Sequence, residues 1–224
     1  MVRNNVLERT FRIRHAGNMG TAFTINVEER QYLITASHML PGYSGGEVGI
    51  YHEEVWKDLH CEMVGKGDPN DCDIAVLEPQ IQLSPNHPLP AFAGNIVLGQ
   101  QAYFLGFPYH YSQDAGHLNR GFPLPLVKGC VISAFMGSTL VLDGHNNPGF
   151  SGGPVVFVPH GQQPSKESPF CVAAVVSGYP GAPRPVVDAD GQAVGMFVHE
   201  NPGIVIAYDI KHALEYIRNA DGAG

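Results

Sequence analysis

The sequence has few charged residues and no long apolar run, and each shortage excludes a class of protein. Charged residues make up 15% of the 224 positions, against a usual level of about 25%, while 44% are hydrophobic. A disordered chain has the opposite balance. No stretch approaches the roughly 18 consecutive apolar residues of a transmembrane helix. The formal net charge of −8 argues against binding to a nucleic-acid backbone. We therefore expect a globular protein with no nucleic-acid or membrane partner.

The N-terminus also lacks the apolar core of a secretory signal peptide. Arg9, Arg12 and Arg14 interrupt every candidate run, which would need about 7–15 apolar residues. We therefore expect a cytoplasmic location.

The four cysteines show no CxxC spacing, which favours buried, reduced thiols. They are Cys61, Cys72, Cys130 and Cys171. Two alternatives stay open, namely disulfide pairing and a structural zinc site at His60, Cys61 and Cys72, although the latter lacks a closely spaced ligand pair. No metal or other cofactor is expected in the leading interpretation.

Glycine (27 residues) and proline (18 residues) are frequent, which favours short strands and turns over long helices. Most of the sequence consists of short apolar or alternating segments separated by turn residues, the pattern of an all-β sandwich or barrel. The predicted strands cover 21–27, 31–35, 47–51, 74–77, 101–104, 127–134, 139–142, 154–158, 171–177, 193–199 and 204–208.

A polar, turn-rich segment at 108–125 divides these strands into two groups of similar size, so we predict an interdomain connection there. Residues 1–107 would form the N-terminal unit and residues 126–224 the C-terminal unit.

A helix is predicted after Asp209, because the apolar residues that follow fall at helical spacing. We expect this helix to pack on the second unit. The apolar stripe consists of Ile210, Ala213, Leu214 and Ile217.

The string DGHNNPGFSGGP at 143–154 contains the strongest candidate for a nucleophile. It places Ser151 between Gly149 and the pair Gly152–Gly153, and such glycines permit a sharp turn and a close backbone approach. If Ser151 is a nucleophile, the N–H groups of Gly149 and Ser151 can form an oxyanion hole. Donors aimed in this way are worth about 3–4 kcal/mol each in the transition state. An ordinary glycine-rich turn is the alternative.

A nucleophilic serine needs a base, and the base needs a carboxylate that orients it. His38 ends the apolar segment YLITASHML, and Asp73 opens the apolar segment DIAVL, where a buried carboxylate requires a partner. A core histidine bonded to a backbone carbonyl is the alternative for His38. The order His38, Asp73, Ser151 is that of the chymotrypsin triad. It places His38 and Asp73 in the first unit and Ser151 in the second, with a cleft between them.

Six segments between about Gly17 and Ile217 together resemble a known family. In order, they are GNMGTAFTI with YLITASHML, CDIAVLEP, LGQQAYFLGFP, KGCVISA, DGHNNPGFSGGPV and NPGIVIAYDIKHALEYI. They resemble the chymotrypsin-fold (trypsin-like) serine proteases, closest to the protease domain of HtrA/Deg-type bacterial enzymes. The resemblance implies an all-β fold of two six-stranded antiparallel barrels with a short C-terminal α-helix. The PDZ module of HtrA enzymes has no counterpart here, so peptide sensing through it is not expected.

The resemblance implies a serine endopeptidase that cleaves proteins or peptides through an acyl-enzyme. His38 would be the general base, Asp73 its orienting carboxylate and Ser151 the nucleophile, with the N–H groups of Gly149 and Ser151 forming the oxyanion hole. We expect a regulatory protein partner, because a cytoplasmic protease needs restraint. The main alternative is a catalytically silent trypsin-fold module that binds peptides or proteins.

Phe150 departs from the family pattern, which has Asp in trypsins or Asn in HtrA-like enzymes at this position. Without the Asp, no salt bridge to a newly cut N-terminus can form. Two consequences stay open. Either the oxyanion loop adopts its active conformation only when substrate or a partner binds, or Phe150 is a packing residue in a loop that is always active.

By analogy with the family, the S1 pocket takes its lining from His145, Ser177, Gly178, Tyr179 and Gly203. Its base is not Asp, so a preference for Lys or Arg is not expected. Gly203 leaves room for a medium or large side chain, and acidic, amide and apolar P1 residues all stay open. The backbone of 177–179 would bind an extended peptide by strand addition.

Overall fold

The computed structural model describes residues 2–87, 89–161 and 168–222. Its strands form two closed antiparallel barrels and a separate two-stranded sheet, and a helix follows the last strand, which confirms the predicted fold class. The first barrel contains β1 (Thr10–His15), β2 (Asn18–Val27), β3 (Arg30–Thr35), β4 (Gly46–His52), β5 (Val55–Lys66) and β6 (Ala75–Pro79). The second contains β7 (Gln101–Gly106), β8 (Leu126–Met136), β9 (Thr139–Asp143), β10 (Pro154–Phe157), β11 (Cys171–Gly178) and β14 (Ile204–Asp209). The hairpin of β12 (Ala182–Val187) and β13 (Ala193–Glu200) forms the separate sheet.

Alternating side chains of β2 and β3 are buried in two different cores, because both faces of these strands are covered. Ala22 and Leu33 point into the first barrel. Phe23 and Ile34 belong instead to a core that also contains Val156 of the second barrel. The two barrels therefore share a packed interface, and the strand ends beside it can carry one site between them.

Strand β7 belongs to the second barrel, although the predicted boundary at residue 107 assigns it to the N-terminal unit. It pairs with β8 and β10 and so closes that barrel. The chain passes from the first barrel to the second between the end of β6 and the start of β7, and the polar segment 108–125 connects β7 to β8. The predicted interdomain connection at 108–125 therefore lies within the second barrel, because a polar composition indicates a surface loop without showing which strands it joins.

The C-terminal helix α2 (Lys211–Asp221) packs mainly against β5 and β6 of the first barrel, so the expected packing on the second unit is wrong. Ala213 and Ile217 are buried in the core between the barrels, as the apolar stripe predicts. Tyr216 lies close against Gly65 of β5, where a larger residue would collide with its ring. Asp209 accepts a hydrogen bond from the Lys211 N–H at 2.8 Å.

All four cysteines are buried and free, as the leading interpretation predicts. Over the described ranges, no group of three or more His, Cys, Asp or Glu residues is arranged to hold a metal ion, which leaves the zinc alternative without a ligand set. Within the same part of the chain, no helix is both long enough and apolar enough to span a membrane.

Candidate active site

His38 and Asp73 meet at the ends of two neighbouring strands of the first barrel. His38 lies in a single 3-10 turn, Ser37–Met39, that follows β3, and Asp73 stands shortly before β6. The His38 ring donates through Nδ1 to Asp73 Oδ2 at 2.6 Å, and the His38 backbone N–H donates to Oδ1 at 2.9 Å. Oδ2 thus holds the imidazole ring in one orientation and Oδ1 holds the backbone of the same residue, which leaves Nε2 of the ring for another partner.

Asp73 is almost completely buried, with 1% of its side chain exposed, whereas 39% of the His38 side chain is exposed. Burial raises the pKa of Asp73, but the hydrogen bonds and positive charge of His38, together with the hydroxyl of Ser177, outweigh that effect. The pKa therefore lies below its ordinary value. The carboxylate is ionised at neutral pH and suited to orient an imidazole.

Ser151 comes to this pair from the second barrel, on the loop that precedes β10. Its hydroxyl donates to the backbone carbonyl of Ser177 at 2.8 Å, and no hydrogen bond joins it to His38. Ser177 also donates its own hydroxyl to Asp73 Oδ2 at 2.5 Å. Ser177, predicted only as a pocket residue, therefore contacts both the carboxylate and the serine.

The glycines of the serine loop are required by close packing of the backbone. Gly149 (φ +107°) and Gly152 (φ +83°) have left-handed conformations, and a side chain at either position would collide with a backbone carbonyl of Phe107 or Thr21. The backbone N–H groups of Gly149 and Ser151 have no hydrogen-bond partner among the described residues. Two neighbouring donors are thus available to an external acceptor.

Phe150 is fully buried, so the structure places it as a packing residue of the second barrel. Its ring packs edge-to-face on Phe104 at 4.9 Å between centroids, and the Lys128 Nζ lies 5.4 Å from its ring centre.

Of the predicted pocket residues, His145 and Gly203 are brought near each other by a contact between the serine loop and the segment just before β14. The Gly144 N–H donates to the Gly203 carbonyl at 2.8 Å, which sets His145 beside that glycine. A side chain added at Gly203 would meet no atom within 4 Å. Asn146, which the sequence reasoning missed, is 2% exposed, and its Oδ1 has no hydrogen-bond partner among the described residues.

A family model described as "Trypsin-like peptidase domain" matches residues 20–163, which include all three candidate catalytic residues. The chain belongs to the trypsin-like peptidases. This family membership confirms the predicted enzyme class, a trypsin-like serine endopeptidase. No curated protein matches the chain.

Solved structures with the same fold are distant from this trypsin-like peptidase in sequence. An inactive form of Rv3671c from M. tuberculosis has 17% identity and a TM-score of 0.59, with 98% of this chain and 92% of that chain covered. The HtrA-type protease AlgW with a tripeptide has 18% identity and a TM-score of 0.61, with 96% and 60% covered. A serine endoprotease from Yersinia pestis has 18% identity and a TM-score of 0.58, with 96% and 65% covered. The chain thus spans about three fifths of the AlgW chain.

Proposed function

We propose that this trypsin-like peptidase hydrolyses internal peptide bonds of protein or peptide substrates through His38, Asp73 and Ser151. The observation that supports the proposal most is the pair of bonds from His38 to the buried Asp73 carboxylate, beside a serine loop with two unpaired N–H groups. An ionised, buried carboxylate fixes the tautomer in which Nε2 can accept a proton.

In the proposed mechanism, the Ser151 oxygen attacks the carbonyl carbon of the substrate while His38 takes the hydroxyl proton. The N–H groups of Gly149 and Ser151 stabilise the resulting oxyanion. The C–N bond then breaks, and His38 returns its proton to the leaving amine, which leaves an acyl-enzyme on Ser151. Water attacks the ester through the same base and releases the acid product, so protons and bonds balance without a cofactor.

Catalysis by this mechanism requires the Ser151 side chain to rotate, so that its hydroxyl leaves the Ser177 carbonyl and donates to His38 Nε2. We propose that substrate, or the regulatory partner expected from the sequence, favours the rotated state. A silent binding module is the second candidate, and the same Ser151–Ser177 hydrogen bond supports it.

For the P1 residue, we propose a pocket beside Gly203 with room for a medium or large side chain, because a side chain added at Gly203 would meet no atom within 4 Å. No acidic side chain stands at position 145 to favour Lys or Arg. Strand addition along 177–179 would position the peptide backbone.

Labelling with a fluorescent fluorophosphonate tests the proposed mechanism. We expect the wild type to be labelled, Ser151→Ala to be unlabelled, and the matched control Ser133→Ala, an exposed serine of β8, to behave as wild type. Fluorescent casein then reports peptide-bond hydrolysis. A folded wild type that is not labelled at any probe concentration would contradict the endopeptidase proposal and favour the silent module.

We also propose a reducing compartment such as the cytoplasm, which four free, buried thiols support. Burial raises the pKa of Cys61 and Cys130 to about 12, so neither forms a reactive thiolate at neutral pH. Mass spectrometry of the protein isolated from its native source under alkylating conditions should find all four cysteines reduced. A disulfide would contradict the assignment.

A further inference from the structure

The loop that carries the oxyanion donors is held from the first barrel by Thr21. This residue of β2 is fully buried, and its hydroxyl donates to the Gly149 carbonyl at 2.7 Å. The same hydroxyl oxygen accepts from the Phe107 N–H at 3.1 Å. The Thr21 backbone N–H donates to the Ser151 carbonyl at 2.9 Å. One threonine thus bonds to the carbonyls on both sides of Phe150.

The same loop is held from the second barrel by Lys128 of β8. Its ammonium donates to the carbonyl of His145 and to Asn147 Oδ1, each at 2.7 Å. It also lies over the ring of Phe150 within the range of a cation–π contact. Lys128 therefore reaches the start of the loop and the side chain at its centre.

Phe150 lies between these two anchors and fills space in the second barrel core. It carries no charge, so its position cannot depend on forming or breaking an ion pair. Moving it out would expose a complete phenyl ring to water, which is unfavourable.

We propose that Thr21 and Lys128 are positioning residues that hold Gly149 and Ser151 in the conformation whose N–H groups stabilise the oxyanion. The inference rests on the endopeptidase function proposed above. It assigns to two side chains, one from each barrel, the task of setting the oxyanion loop before substrate arrives. Of the two alternatives that Phe150 leaves open, the proposal favours an oxyanion loop that is assembled before substrate or a partner binds.

The test compares Thr21→Val, which keeps the shape and removes the hydroxyl, with Thr21→Ser, which keeps the hydroxyl. Lys128→Met keeps most of the side-chain stem and removes both hydrogen bonds and the charge. The matched control is Lys57→Met, an exposed lysine of β5 that pairs with Glu53. For each variant, phosphonylation by the fluorophosphonate gives a maximal rate and a half-saturation concentration, and thermal unfolding shows whether the variant is folded.

We expect the maximal phosphonylation rate to fall about 10- to 100-fold in Thr21→Val and Lys128→Met, because a misplaced oxyanion donor weakens the transition state. The half-saturation concentration should stay within about twofold, since binding of the probe before reaction does not use those donors. Thr21→Ser should recover most of the rate, and Lys57→Met should match the wild type. If Thr21→Val does not fold, Lys128→Met and Thr21→Ser decide the test.

Two results would overturn this inference and are distinct from failure of the proposed function. The first is a wild-type rate in a folded Lys128→Met or Thr21→Val variant. The second is a rate in Thr21→Ser as low as that of Thr21→Val. If the wild type itself is not labelled, the endopeptidase function fails and this inference fails with it.

Discussion

Asp73 receives most of the hydrogen bonds of the candidate site, from the His38 ring, the His38 backbone and the Ser177 hydroxyl. Its side chain is buried, so each of these donors offsets part of the cost of removing a carboxylate from water. One donor, Ser177, comes from the other barrel. The residue that orients the base therefore also connects the two halves of the site.

Replacing Asp73 by Asn should reduce the turnover of fluorescent casein by about four orders of magnitude, because the amide stabilises the wrong imidazole tautomer. The change is nearly isosteric, so the fold should be retained. Asp71→Asn, an exposed carboxylate of the preceding turn, serves as the control and should keep wild-type turnover. Turnover of Asp73→Asn within about tenfold of the wild type would exclude Asp73 from the mechanism.

The lowered pKa of Asp73 also predicts how acid affects stability. A carboxyl group whose pKa is depressed by folding stabilises the native state above its unfolded pKa, and this contribution is lost as the pH falls through the folded value. Urea unfolding should therefore show the wild type losing more stability than Asp73→Asn as the pH falls from about 5 to about 2, below the unfolded pKa of about 4. Equal losses in both proteins would show that the folded-state interactions of Asp73 do not favour its charged form.

At the scale of elements, the eleven predicted strands all exist, and three further strands escaped the pattern analysis for identifiable reasons. In β1, the charged side chains of Arg12 and Arg14 break up the apolar pattern of the sequence. In the fold, their guanidinium groups lie over the Trp56 ring, 5.1 and 4.6 Å from its centre. Strand β5 has a largely exposed, charged face that hides its short buried stretch. Strand β12 contains two prolines, which are unfavourable in strands except at edges.

The triad could be proposed from the sequence because each residue stands at the end of an apolar segment, a local pattern. Thr21 and Lys128 could not be found in this way, since each acts on a loop that is distant along the chain. Asn146 also gave no signal, because a single asparagine in a turn-rich string is unremarkable until its burial is known. Local patterns thus identify the reacting groups, whereas the residues that position them become visible only in the fold.

Removing the β12–β13 hairpin should leave the stability of the barrels nearly unchanged. Every residue of β13 is exposed, including Met196 and Phe197 at 61% and 68%, so the hairpin contributes little burial. Replacement of residues 183–199 by a short Gly-Ser linker should change the free energy of unfolding by less than about 1 kcal/mol in urea. A loss above about 2 kcal/mol would show that the hairpin stabilises a barrel. The exposed apolar area should fall, with less binding of a hydrophobic dye.

At the scale of the whole molecule, the barrels are joined by a shared core as well as by the site. This core contains Ile74 and Val76 of the first barrel, Val172 and Val175 of the second, and Ile217 of α2. The bonds from Thr21 and Ser177 cross the same boundary. A displacement of one barrel against the other would therefore disturb both the packing and the oxyanion loop.

The return of α2 to the first barrel has a thermodynamic consequence for the two halves. The chain leaves the second barrel through β14, and α2 then packs against β5 and β6, so this helix holds the first barrel to the second. We propose that the protein is a single cooperative unit. Calorimetry should record one transition whose van't Hoff and calorimetric enthalpies agree. Truncation after Ile210 should lower the midpoint of that transition without splitting it, whereas two separate peaks would indicate halves that melt independently.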